Sequence, residues 1–146
     1  MKISISIVPE QKDTELTVTC GQLTPEIEKM IAALRMMENQ MTVRLDDSIH
    51  ILDLFEVLYV ESVDRKTFVY TKDQIFESDF RLYELEGKLS ESSFFRISKS
   101  CIVNLRRIKT LKGDLERRIR ITMDNGEQIV ASRMYADELR KRLGVR

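Results

Sequence analysis

One stretch in the second half of the chain combines apolar anchors with groups that could bind nucleic acid. It runs from Phe94 to Asn104, and its apolar members are Phe94, Phe95, Ile97, Ile102 and Val103. Between these anchors lie four side chains whose donors suit phosphates and base edges: Arg96, Ser98, Lys99 and Ser100. The pattern indicates a segment fixed in a core that presents polar groups at its surface.

The same stretch opens a strongly basic segment. Residues 94–120 hold nine Lys or Arg against only Asp114 and Glu116, a net charge of +7, although the whole chain is neutral. Residues 1–80 carry −7 and residues 81–146 carry +7. Nucleic acid responds to a local positive face, so this asymmetry favours a nucleic-acid partner. An ordinary solvated surface, or an acidic half folded onto the basic one, would give the same composition.

The residue types give little support for an enzyme, a metal-binding protein or a membrane protein. There is one histidine, His50, and the two cysteines, Cys20 and Cys101, lie far apart, so no metal-ligand cluster is expected. The sequence contains no Gly-rich phosphate loop and no HExxH pattern. We therefore expect no enzyme and no cofactor. With no signal peptide and no apolar run of roughly 20 residues, the chain is expected to be cytoplasmic, with reduced thiols.

The first 40 residues form a separate unit in our interpretation. Residues 2–8 and 15–20 alternate apolar and polar side chains, which predicts two strands. Thr24-Pro25-Glu26 then predicts a helix start, with a capping hydroxyl and proline at the first helical position. Its expected apolar face consists of Ile27, Met30, Ile31 and Leu34. This strand–strand–helix segment is too small to be stable alone, so residues 1–40 are a candidate dimerisation unit.

Residues 41–146 predict a mainly β domain with short helices, of the α+β class. Strands are expected at 42–45, 48–52, 57–63, 68–71, 74–77, 107–112, 118–123 and 127–131. Short helices are expected at 81–89 and 134–143, the second ending at Gly144. Asp124-Asn125-Gly126 predicts a hairpin turn.

Four motifs, in order, carry a resemblance to a known family. They are Leu58–Ser62 as a strand, Leu82–Leu89 as an "sL..le..L" helix, Phe94–Asn104 as "F.R.hrS..VN", and Gly126–Tyr135 as "g..i.vSRry". Together they span about 100 residues, and the chain resembles the LytTR-type DNA-binding domain of bacterial transcription regulators. The resemblance implies small β-sheets with short helices, whose loops at the sheet ends enter successive major grooves of double-stranded DNA.

The resemblance also implies partners. Regulators of this type usually carry a phosphorylatable receiver domain, as response regulators do, but only about 40 residues precede the domain here, so we expect a short form without one. Short proteins of this shape are often found beside a small membrane protein that restrains them, so a regulatory membrane-protein partner is implied. We expect a homodimer built through residues 1–40.

The resemblance and the residue chemistry together give candidate DNA-binding residues: Arg65, Lys66, Arg96, Ser98, Lys99, Arg106 and Arg133. Lys99 is the expected base contact, because lysine donates to guanine O6 and N7. Ser98 stands where many family members have histidine.

Four of these candidates have a plainer alternative. Lys99 could bind a phosphate or only water, Arg133 could pair with Asp137, and Arg65 and Lys66 could form a solvated turn. Arg96 and Arg106 are expected phosphate contacts. Asn104 is expected to be a structural cap, and Cys101 a small buried side chain.

Two other functions stay open at this point. The chain could be an RNA-binding module, or a protein-interaction domain whose basic face meets an acidic partner. RNA readers display exposed aromatic side chains for stacking. Phe94 and Phe95 are the only adjacent aromatic residues, and their pattern predicts a core position instead.

Overall fold

The computed structural model describes residues 1–145. Its three helices are α1 (Pro25–Met37), α2 (Leu82–Lys88) and α3 (Arg133–Leu143). Its ten strands are β1 (Gln40–Leu45), β2 (Ser48–Asp53), β3 (Tyr59–Val63), β4 (Lys66–Tyr70), β5 (Ile75–Ser78), β6 (Phe94–Ser98), β7 (Cys101–Asn104), β8 (Ile108–Gly113), β9 (Ile119–Met123) and β10 (Gln128–Ala131). The predicted mainly β fold with short helices is confirmed.

The strands form two antiparallel sheets. The larger has seven strands in the order β2-β1-β5-β4-β3-β7-β6, and the smaller has three in the order β10-β9-β8. Neighbouring residues of the central strands point to opposite faces. Val60 and Ile102 therefore pack into a core with α1 and α2, whereas Tyr59 and Val103 pack into a second core with the small sheet and α3. The large sheet is the layer that both cores share.

Hydrogen bonds join the two sheets, or the turns that flank them, at both ends. The Tyr59 hydroxyl donates to Glu127 Oε2 at 2.6 Å, and Asn125 Nδ2 donates to the Lys72 carbonyl at 3.4 Å. The Ser132 backbone N–H donates to the Ile97 carbonyl at 2.9 Å. The first two bonds lie at one end of the sheets and the third at the other, so the two sheets are tied at both ends.

A polar cluster accompanies the first of these bonds. The Tyr59 and Tyr70 rings stack with their centroids 4.3 Å apart, and the Tyr70 hydroxyl donates to Glu61 Oε1 at 2.9 Å. Burial, followed by the hydrogen bond to Glu61, raises the pKa of Tyr70 to about 12. Burial and the nearby Glu61 carboxylate also raise the pKa of the Cys101 thiol. Cys101 is thus the small buried side chain that the sequence predicted.

Helix α1 begins where the sequence predicted, because Thr24 Oγ1 accepts a hydrogen bond from the Ile27 N–H and Pro25 is the first helical residue. Its buried residues, however, are Ala32 and Met36, which pack on the large sheet. The apolar face that the sequence predicted for this helix is half-buried: Ile27, Met30, Ile31 and Leu34.

The prediction of two strands before α1 is corrected by the structure. Residues 2–8 and 15–20 contain no strand, and within residues 1–145 the first strand is β1. Ile3, Ile5 and Ile7 are 81%, 86% and 86% exposed. Alternation makes a strand only where a neighbouring strand supplies hydrogen bonds and a covered face, and two isolated strands are marginal in water. Within residues 1–145, the first 24 residues have neither a neighbouring strand nor a covered face.

Candidate nucleic-acid interface

Two hairpin turns meet at one end of the large sheet. Strand β3 pairs with β7, so that Glu61 lies opposite Cys101, and the Ser62 N–H donates to the Ser100 carbonyl at 2.8 Å. This pairing places the β3–β4 turn beside the β6–β7 turn. Arg65 and Lys99, the exposed cations of the two turns, are thereby brought to one end of the sheet although 34 positions separate them.

Helix α3 begins at the same end. Ser132, which precedes it, donates its N–H to the Ile97 carbonyl of β6, and Arg133 is the first helical residue. Ser132 occupies the cap position, but its hydroxyl makes no capping hydrogen bond. Among residues 1–145 Arg133 forms no ion pair with Asp137, which was the alternative role for it. We call this end of the molecule the loop edge; its predicted cations are Arg65, Lys66, Lys99 and Arg133.

The β3–β4 turn holds a strained backbone. Asp64 and Arg65 have φ of 51° and 66°, a conformation that two-residue hairpins usually assign to Asn-Gly or Asp-Gly. A non-glycine residue in this region costs on the order of 1 kcal/mol or more. Lys66 Nζ lies 4.0 Å from Glu77 Oε1, an exposed pair worth little in water. The side chains of Arg65 and Lys66 therefore stay available to a ligand.

The β6–β7 turn presents Lys99, which is exposed. Ser98 Oγ accepts a hydrogen bond from the Ser100 N–H at 3.2 Å, so this side chain shapes the turn. Arg96 lies behind the turn with its side chain only 18% exposed. Its guanidinium contacts Glu86 and the carbonyls of Ser98 and Lys99. Of the predicted residues in this turn, only Lys99 faces solvent with its charge unpaired in the described structure.

Arg106 is not brought to the loop edge. It follows β7 at the strand's other end, where it lines a surface cavity together with Asp53 and Glu91. Asn104 organises that end: its Nδ2 donates to the Val57 carbonyl at 2.9 Å, and its Oδ1 accepts from Ser93 Oγ at 2.7 Å and the Arg106 N–H at 3.1 Å. The predicted structural role of Asn104 is confirmed.

A fourth loop at the loop edge was missed by the sequence reasoning. Ile119 pairs with Ala131, the residue before Ser132, so the loop that joins β8 to β9 projects from the same end. It carries Arg117 and Arg118, both exposed. Glu116 and Arg117 have φ of 58° and 63°, so this loop tip resembles the one at Asp64 and Arg65. Both arginines belong to the basic segment, but nothing in their local pattern shows which end of a sheet they occupy.

The aromatic residues of the Phe94–Asn104 motif do not form a stacking surface. Phe94 is buried, and the half-buried ring of Phe95 lies under the guanidinium of Arg142, whose Cζ is 5.4 Å from the ring centroid. Within residues 1–145 no group of three His, Cys, Asp or Glu side chains could hold a metal ion. None of the described helices has the length and apolar character needed to cross a membrane.

Comparison with known families agrees with this geometry. A sequence profile described as the LytTr DNA-binding domain matches residues 47–144, which include every strand and turn of the loop edge. The chain belongs to the LytTr DNA-binding domain family. Membership makes it a DNA-binding protein and not an enzyme.

Solved and curated relatives support the LytTr assignment. The LytTr DNA-binding domain of a putative methyl-accepting/DNA response regulator from Bacillus cereus is 33% identical, with a TM-score of 0.69 over 73% of this chain and 97% of that one. Uncharacterized HTH-type transcriptional regulators of Staphylococcus aureus strains MSSA476 and MW2 are 26% identical over 147 residues, 99% of either protein. In the described part of the LytTr chain α2 and α3 are separated by five strands and form no helix-turn-helix.

Proposed function

We propose that this LytTr protein is a transcription regulator that binds double-stranded DNA sequence-specifically, with the loops of the loop edge in successive major grooves. The observation that carries the proposal is the meeting of four loops with exposed cations at one end of the molecule. Family membership supports it, and so does the naming of the S. aureus relatives as transcriptional regulators. The proposal also places the protein in the cytoplasm, where bacterial DNA lies.

The proposed contacts divide by chemistry. Lys99 and Arg133 contact base edges, because lysine and arginine donate to guanine O6 and N7. The remaining cations contact phosphates and set the orientation without reading sequence: Arg65, Lys66, Arg117 and Arg118. Ser98 contributes by shaping the turn through its hydroxyl. Arg106 is left out because it lies at the opposite end of β7.

The test is a salt titration with two duplexes. One duplex is selected in vitro from a random library by the full-length protein, and the other is a random sequence of equal length. If four phosphates are neutralised, the logarithm of the binding constant falls with the logarithm of salt concentration at a slope of about −3.6. The selected duplex should bind more tightly at every salt concentration. Equal affinity for both duplexes at all salt concentrations would contradict the proposal.

We also propose that residues 1–40 join two copies of the protein. The segment at residues 12–18 and the outward face of α1 form a groove lined by Leu16, Val18, Ile31, Leu34 and Met37. Leu16 and Met37 are 74% and 80% exposed. Water-exposed apolar side chains beside an irregular segment suit a second copy of the same segment, because a two-fold axis lets each copy cover the other.

A substitution in the groove tests the dimer. Leu34→Glu should halve the mass measured by light scattering at tens of micromolar, while the β domain keeps its circular dichroism spectrum. Glu28→Gln, at an exposed position of the same helix, is the matched control and should leave the mass unchanged. A wild-type protein that stays monomeric with and without DNA would exclude the dimer. The groove would then be left for the regulatory membrane protein that the family resemblance implies.

A further inference from the structure

The β6–β7 turn has a backbone that two-residue hairpins seldom use. Ser98 pairs with Cys101, so Lys99 and Ser100 form the turn, and neither has a positive φ. Two-residue hairpins prefer turns with positive φ, because only these match the twist of the strands. The pairing register also shifts between Arg96 and Ser98. The turn therefore needs support from outside its own backbone.

Two neighbours supply that support by binding three successive carbonyl groups. Arg96 Nε donates to the Ser98 carbonyl at 2.8 Å, and Arg96 Nη2 donates to the Lys99 carbonyl. The Ser62 N–H donates to the Ser100 carbonyl. The remaining guanidinium nitrogen, Nη1, lies 3.4 Å from Glu86 Oε1 on α2. The Arg96 guanidinium thus binds the turn carbonyls and α2, whereas the Lys99 side chain forms no ion pair in the described structure.

We propose that Arg96 is a positioning residue: its guanidinium fixes the β6–β7 turn so that Lys99 meets a base edge in one geometry, and it makes no DNA contact itself. The inference rests on the proposed function, because Lys99 is the base contact there. The planar fork of arginine can donate to two carbonyls and a carboxylate at once, whereas lysine offers one ammonium group. The chemistry therefore requires arginine at this position and not simply a positive charge.

The alternative is that Arg96 binds a phosphate, as its sequence context suggested. The two roles differ in what they change. A phosphate contact adds affinity for every sequence and adds about 0.9 to the salt slope. A positioning residue changes the ratio of affinities between the selected and the random duplex and leaves the salt slope alone.

Two variants of the full-length protein separate these roles. Arg96→Lys keeps the charge and Arg96→Gln removes it, and each is titrated with the selected and the random duplex defined above. We expect both to lose about tenfold or more in affinity for the selected duplex, the loss of one base contact, with random-duplex affinity and salt slope unchanged. Arg96→Lys that matches wild type on both duplexes, or Arg96→Gln that lowers both affinities and the slope alike, would overturn the inference.

A third variant guards against a folding defect. Glu86→Gln leaves Arg96 in place and removes the charge that holds its third nitrogen, and we expect a several-fold fall in the selected-to-random ratio. An unchanged ratio in Glu86→Gln, in a protein of wild-type thermal stability, would count against the positioning role. Lys109→Gln, at an exposed position of β8, is the charge-matched control for Arg96→Gln. Failure of the proposed function would look different, because wild type itself would then show no preference between the duplexes.

Discussion

Removing one positive charge at either end of β7 should have very different effects on DNA binding. Lys99 lies in the turn before this strand, at the loop edge, and Arg106 lies just past its other end. The strand has four residues, which span about 13 Å at a rise of about 3.3 Å each. Lys99→Gln and Arg106→Gln change the net charge of the protein equally, so any difference between them reports position.

The expected magnitudes follow from that distance. Two unit charges about 13 Å apart interact by about 0.3 kcal/mol in water, and the Debye length of about 8 Å at physiological salt reduces this to below roughly 0.1 kcal/mol. Arg106→Gln should therefore leave the affinity for the selected duplex unchanged. Lys99→Gln should cost about 1–3 kcal/mol, which is a 5- to 150-fold loss of affinity.

Fluorescence anisotropy with the labelled selected duplex at physiological salt measures both values. The random duplex serves as a control, because loss of a base contact should weaken its binding far less than that of the selected duplex. If Arg106→Gln weakened binding as much as Lys99→Gln, the DNA would have to contact the far end of the sheet. If Lys99→Gln had no effect, Lys99 would not be a base contact.

Further predictions concern stability and reactivity. Asn104→Ala should lower the free energy of unfolding in urea by about 3–4 kcal/mol, because it leaves buried backbone groups without partners, whereas Ser93→Ala should cost about 1 kcal/mol. The pKa of Tyr70 is raised to about 12, above its usual value near 10, so the stability that Tyr70 contributes is present below pH 10 and is lost as the pH rises towards 12. In Tyr70→Phe the urea concentration at the unfolding midpoint should therefore decrease less between pH 10 and pH 12 than in wild type. A thiol reagent at pH 8 should label exposed Cys20 but not buried Cys101 in the native protein, and both in urea.

Local signals in the sequence were enough for most of the secondary structure. The start of α1 is set by Thr24 and Pro25, and the end of α3 by Gly144, whose φ is 69°. Gly126, with φ of 90°, forms the predicted turn between β9 and β10. Each of these positions depends on the chemistry of a few neighbouring residues, which a single sequence displays.

The errors have a different physical origin. Alternation at residues 2–8 predicted a strand, but a strand also needs a neighbour, and the sequence does not show whether one exists. Arg96, Arg106 and Arg117 all lie in the basic segment, yet their positions depend on strand length and pairing register. Arg96 turns inward to the turn carbonyls, Arg106 lies past the far end of β7, and Arg117 projects from the loop edge. These are long-range properties that composition and spacing do not encode.

Under the binding mode proposed above, the bonds that tie the two sheets at both ends set the distance between two groups of DNA contacts. The large sheet carries Arg65 and Lys99, whereas the small sheet and α3 carry Arg117 and Arg133, so the spacing between the two pairs of loops is fixed by the Tyr59–Glu127, Asn125–Lys72 and Ser132–Ile97 bonds. One inserted base pair lengthens the DNA by about 3.4 Å and rotates it by about a tenth of a turn. A rigid protein cannot follow that change, so the DNA would have to bend or untwist to keep both sets of contacts. Inserting a single base pair in the middle of the selected duplex should therefore abolish its advantage over random DNA, even with every contacted base retained.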